Sequence, residues 1–352
     1  MRGGSPARAV IEVLHLPRFR ALVPALVVLG STMAVIGGSP AEASKAPSLT
    51  AYQGLGSWVD IYDAALWRDP AAVISEMHAH GVRTLFLETG NWRIDTKIFE
   101  PAVVAKYVDE AHSQGMKAVA WYVPDFKSVD RDLARSLAAA RFTTSSGERF
   151  DSFGLDIEST EVRDPKVRTA QALLLSTLIR QAMGPSYPLA AIVPSPYAMR
   201  LIPTYWPGFP FVKFAALYDV FVPMGYFTFR TNGPTEAAAY TTATLSLLHD
   251  VTGGAPVHAI GGLASNTSGL EVGAFVRAAI RQGAIGASLY DFGTTGPEDW
   301  SALQAVKGLA PRAPKPFTLP APPPTVAPAG PAHRDSPALP VWCLCRSHLL
   351  AR

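Results

Sequence analysis

The sequence predicts an α/β fold of the (β/α)8 TIM-barrel class, and three observations carry that prediction. Apolar, strand-like runs alternate with helical segments, the pattern of a parallel sheet covered by helices. Eight such pairs can be counted, which suits a closed barrel better than an open sheet. They occupy residues 44–309, close to the roughly 250 residues of one such barrel.

The pairs follow in order. A strand over 56–63 precedes a helix over 70–80 that Gly81 stops, and a strand over 84–88 precedes a helix over 101–114 that Gly115 stops. The third strand, 117–123, leads to a helix over 129–140. The fourth, within 150–158, leads to a long helix over 165–183. The fifth strand is 189–193, and a short helical piece over 211–218 precedes the sixth, 220–224. A helix over 235–250 leads to the seventh strand, 257–260, and one over 270–281 leads to the eighth, 286–290. A helix over 297–307 closes the set. Asp69-Pro70, Glu100-Pro101, Asp164-Pro165 and Gly296-Pro297 put proline at the first helical position, where its missing N–H costs nothing. Pro223 inside the sixth strand removes a ladder donor, and a bulge is expected there.

The flanks are separate from the barrel. Residues 1–43 read as a secretion signal: Arg2, Arg8, Arg18 and Arg20 form a basic leader, an apolar run over 21–37 follows, and Ala41-Glu42-Ala43 is a small-x-small cleavage pattern. The run is shorter than the roughly 20 residues of a spanning helix, so cleavage after Ala43 is expected rather than a membrane anchor. The protein should then be secreted, with no stable membrane span. Residues 310–352 form a Pro/Ala-rich tail that cannot bury enough apolar surface to order itself. It holds the chain's two cysteines, Cys343 and Cys345, with no further ligands nearby to make a metal site.

A formal charge of only +3, with no basic stripe, argues against nucleic acid as a partner. No His/Asp/Glu spacing points to a metal, no helix-opening phosphate loop surrounds Gly253-Gly254 or Gly261-Gly262, and no cofactor is expected. Ser195 lacks a nucleophile elbow, and His258 reads as a hydrogen-bonded core histidine.

Barrels of this class place their chemistry at the C-terminal ends of the strands. The fourth strand ends in Asp156-Ile157-Glu158, and residues two apart on a strand share a face. Asp156 and Glu158 should emerge side by side, with Phe153, Leu155 and Ile157 on the other face. Two carboxylates so close cannot both ionise easily, which suits an acid at neutral pH. Other strand ends offer Glu88, Trp92, Trp121, Asp125, Tyr226, Tyr290 and Asp291. Carboxylates interleaved with aromatics suit sugar: rings stack on pyranose faces and carboxylates handle hydroxyls and protons. Singly, Trp92, Trp121 and Tyr290 also read as core aromatics, and Glu88 and Asp125 as partners of rim cations such as Arg93 or Lys127.

The stretch from Asp151 to Glu158 resembles the strand-four signature of family 18 chitinases and their relatives, Asp-x-x-Asp-x-Asp-x-Glu. Asp151, Asp156 and Glu158 match, and Gly154 stands where the family has its second Asp. Met224-Gly225-Tyr226 is similar to the family's Met-x-Tyr, with Phe227 in place of the usual Asp, and Tyr290 is nearest to a Trp under the sugar. The resemblance implies a carbohydrate substrate, Glu158 as general acid, and Asp156 and Tyr226 as groups that hold an N-acetyl substituent. Gly154 removes a carboxyl with which Asp156 would exchange protons. A two-carboxylate mechanism would draw its second member from Glu88, Asp125 or Asp291. A secreted glycosidase is the expected function; the alternative is a catalytically silent, lectin-like barrel.

Overall fold

The computed structural model describes residues 46–307 and 309; the expected leader over 1–43 and tail over 310–352 lie outside the described residues. Eight parallel strands close into a barrel in sequential order, with the eighth pairing back on the first. They are β1 (Gly54–Val59), β2 (Thr84–Asn91), β3 (Lys117–Val123), β4 (Ser152–Asp156), β5 (Leu189–Pro194), β6 (Val220–Met224), β7 (His258–Leu263) and β8 (Gly286–Tyr290). Between them run α1 (Pro70–Ala79), α2 (Pro101–Ser113), α3 (Val129–Ala140), α4 (Pro165–Met183), α5 (Pro196–Leu201), α6 (Phe211–Ala215), α7 (Pro234–Thr252) and α8 (Gly269–Arg281), and α9 (Pro297–Leu303) follows β8.

The period of two along each strand sorts side chains into two cores. Leu55, Val59, Leu85, Leu87, Phe153, Leu155 and Leu189 pack outward against the helices. Trp58, Phe86, Val119, Trp121, Ile192, Val222 and Met224 fill the barrel. The interior is therefore a packed core with its mouth at the strand C-termini.

Helix starts follow the acid–proline device where the acid can reach. Asp69 accepts from Ala72 N at 3.1 Å and Asp164 from Lys166 N at 2.8 Å, each capping its helix. Glu100, one methylene longer, makes no such bond and stands at φ 41°. The structure departs from the sequence reading at four places. β1 begins at Gly54 and ends at Val59, so Asp60 and Asp63 belong to the loop that follows. β2 runs on to Asn91 across a register shift between Glu88 and Gly90. α5, too short to show a period, was not anticipated. No bulge accommodates Pro223. The pairing of β5 with β6 is unshifted, and on the other side Phe221 N donates to Pro256 O and Gly225 N to Ile260 O. Proline simply leaves one rung toward β7 unmade.

Candidate active site

The fourth strand delivers its acids as the alternation requires. Phe153, Leu155 and Ile157 are buried in the outer core, and Asp156, opposite Ile192 in register, ends β4 with 6% of its surface exposed. Ile157 N still donates to Ile192 O at 2.8 Å, which extends the strand geometry past Asp156 toward Glu158. Glu158 is half-buried, and its backbone carbonyl accepts from the Tyr205 hydroxyl. Arg168 Nη2 in turn donates to Tyr205 O at 2.8 Å, so α4 braces the segment that carries Glu158.

Gly154 faces the interior, where a Cβ would stand 2.9 Å from Ile192 Cδ1 and 3.8 Å from Trp121 Cβ. Hydrophobic side chains thus fill the space beside Gly154, where the chain departs from the motif it resembles.

A second group of predicted residues meets around Tyr290. Its hydroxyl donates to Asp60 Oδ2 at 2.5 Å, and its ring lies edge-on to Tyr226, 6.3 Å between centroids. Burial, then the charges of Asp60, Glu88 and Asp291, hold the Tyr290 hydroxyl far above its ordinary value, so it stays a proton donor. Asp291 follows directly and accepts from Thr294 N and Oγ1 at 3.1 and 2.9 Å. Burial first, then the charge of Asp60, pushes Asp291 up to about 6. Tyr226 is buried on the interior side after β6, and the preceding Gly225 is required there: a Cβ would stand 2.8 Å from Ile260 O.

Other predicted residues are held by the protein itself. Glu88 is fully buried and accepts from Ile61 N at 3.2 Å and Asn91 Nδ2 at 2.9 Å. Asp125, 2% exposed, pairs with Arg131, where Arg93 or Lys127 was expected, and also accepts from Lys127 N at 2.9 Å. Trp121 is a core ring, edge-on to Trp58 at 5.7 Å. Trp92 rests half-buried on the interior core, with Arg93 and Lys127 over its ring.

Asp151, the first acid of the motif, belongs to the opposite end of the barrel. It accepts from Lys117 Nζ at 2.7 Å and Ala118 N at 2.9 Å, and bonds His112 Nε2 at 2.9 Å. Burial opposes its ionisation, but these donors outweigh it and hold the carboxyl below the ordinary range. His258 is a core histidine, as expected. Its Nδ1 faces Tyr52 O at 2.9 Å and so carries the proton, and Nε2 accepts from the Ser288 hydroxyl at 3.0 Å. Trp58 Nε1 donates to the same Ser288 oxygen at 2.8 Å, which fixes the indole in the barrel centre. Burial pulls His258 down to about 4, so it is neutral. Ser195 caps α5 through Ala198 N at 3.2 Å.

Sequence reasoning missed that Asp60 receives the Tyr290 hydroxyl. The signal was there: Asp60 shares Trp58's side of the alternation. Nothing in the sequence pointed to Asn91 as the residue that holds Glu88. Among the described residues, no group of three or more His, Cys, Asp or Glu is arranged to hold a metal, and no helix is long and apolar enough to cross a membrane.

No protein-family model matches the chain, and no curated protein resembles it in sequence. Solved structures do resemble it. An endo-β-1,4-mannanase from Thermotoga petrophila superposes with a TM-score of 0.56 at 10% identity, over 73% of this chain and 77% of that one. The spore cortex-lytic enzyme SleL of Bacillus cereus gives 0.54 at 10% identity, over 74% and 75%. A chitinase from Chromobacterium violaceum gives 0.51 at 12% identity, over 73% and 99%. At such identities the likeness is one of architecture: the chain has the (β/α)8 barrel fold that glycoside hydrolases use.

Proposed function

We propose that the protein is a secreted glycoside hydrolase that cleaves a polysaccharide or cell-wall glycan by carboxylate general acid catalysis. The observation that carries this reading is the Asp156/Glu158 pair leaving the C-terminal end of β4, where barrels of this class do chemistry. Glu158, half-buried and braced through Tyr205, is the proton donor to the leaving glycosidic oxygen. Asp156 is its neighbour and tuner. As the bond to the leaving oxygen breaks, positive charge grows at the anomeric carbon, and a second group must meet it. Asp291, partly buried and raised to about 6, is the carboxyl that two-carboxylate chemistry would use. Tyr226 hydrogen-bonds the sugar, and Tyr290, tied to Asp60, shapes the pocket wall. The likeness to glycosidase barrels supports the class, and the leader over 1–43 supports export.

Release of reducing ends from a panel of glycans tests the activity. Glu158→Gln should lower turnover by about 10²–10⁴-fold, the usual worth of a general acid. Export is tested by the N-terminal sequence of protein recovered from culture medium, expected to begin at Ser44.

One observation favours the silent, lectin-like alternative: Ile192 packs where a second acid would stand beside Asp156. Under that reading glycan binds, no bond is cleaved, and Glu158→Gln changes nothing.

A further inference from the structure

The loops after β2 and β3 bring two cations to one aromatic ring. Arg93 Cζ lies 4.9 Å and Lys127 Nζ 5.6 Å from the centroid of Trp92. The ring is anchored: Trp92 N donates to Val123 O at 2.9 Å, and the indole rests on the barrel's interior core. The backbone that carries each cation is set as well. Arg93 N donates to Asn91 Oδ1 at 2.9 Å, and Lys127 N donates to Asp125 Oδ1 at 2.9 Å. Arg93 makes no ion pair among the described residues, whereas Arg131 nearby is matched by Asp125 and Asp132. Lys127 Nζ reaches Glu161 at 2.6 Å, an exposed pair of little energetic worth. That pair also joins the cluster to the loop after β4, the loop that carries the proposed acid, Glu158.

A tryptophan at a barrel mouth would ordinarily offer its face to a sugar ring. Here cations lie over the ring, and the group that gains most from meeting them is an anion. A guanidinium presents paired N–H donors that match a carboxylate, and an ammonium adds a point charge beside it. We propose that the glycan is acidic, and that Arg93 and Lys127, held by Trp92, receive the carboxylate of a uronic-acid-type sugar next to the bond Glu158 addresses. The inference rests on the glycosidase reading for its position and on the cation cluster for its chemistry.

Binding is measured in the Glu158→Gln background, so that turnover cannot intervene. Polygalacturonate, alginate and hyaluronan serve as acidic probes, mannan and soluble chitin oligomers as neutral ones, and dextran sulfate as a non-carboxylate polyanion. The acidic probes should bind, weaken as salt rises, and lose about tenfold or more in affinity in R93A/K127A. R93K/K127R, which keeps both charges, should restore most of the binding and guards against a folding defect. Equal affinity for neutral probes, indifference to R93A/K127A, or a preference for dextran sulfate would each overturn the proposal. Acidic glycans bound but never cleaved by the unmodified protein would sink the glycosidase reading and leave this site standing. Neutral glycans cleaved with acidic ones ignored would do the reverse.

Discussion

Asp151 enters β4 and Asp156 ends it, and the two ends of the barrel treat their carboxyls differently. At the entry end Asp151 is matched by Lys117, His112 and the backbone of Ala118, and it ionises more readily than usual. At the mouth, Asp60, Glu88 and Asp291 crowd one tyrosine, and Asp291 ionises less readily than usual. One end uses charge to join α2, β3 and β4. The other keeps carboxyls close together, where a protein built only for stability would separate them. The same strand therefore carries a structural acid and a candidate catalytic pair.

Substitutions should separate the two ends. The largest effect expected of a mouth residue other than Glu158 comes from Asp156→Asn, about 10²-fold in turnover with little loss of stability. Denaturant unfolding beside the activity assay checks both halves. Asp151→Asn should do the opposite: it loses charge-assisted bonds from half-buried partners and should cost about 1–3 kcal/mol of stability, with kcat per folded molecule unchanged. The entry end should also respond to pH from both sides. Bonding to Asp151 raises His112 above 6.5, so its contribution is complete below that value and fades as pH rises through the higher folded value. Asp151 is lowered from 3.8, so its contribution is complete above that value and fades as pH falls through the lower one. A stability profile that is flat across both ranges, or unchanged by His112→Gln, would break the comparison. At the mouth, Asp291→Asn should remove a limb near pH 6 from the activity profile. The smallest effect is expected of Gly154→Ala, where the Ile192 tip can yield: about 1 kcal/mol.

Much of this was legible in the sequence because it depends on local pattern. Glycine stops, proline starts and apolar runs set the order of eight strands, and the alternation after Phe153 set the face of Asp156. Interactions between strands were not legible. That Tyr290 reaches Asp60 depends on barrel closure, which pairs β8 with β1. That Asp125 chooses Arg131 depends on how α3 leaves β3. Asp151 matches the family motif at a position that serves the other end of the barrel, because a motif read along the chain does not separate one end of a strand from the other. Nor was it legible which cations cover the Trp92 ring, because Arg93 and Lys127 reach it from two different loops.

The most direct test is turnover of the best-cleaved glycan by Glu158→Gln, measured beside its unfolding midpoint. A loss of about 10²-fold or more at an unchanged midpoint is the expected result, because the acid is removed and the fold is not. Undiminished cleavage by the variant would contradict the assignment of Glu158 as the proton donor.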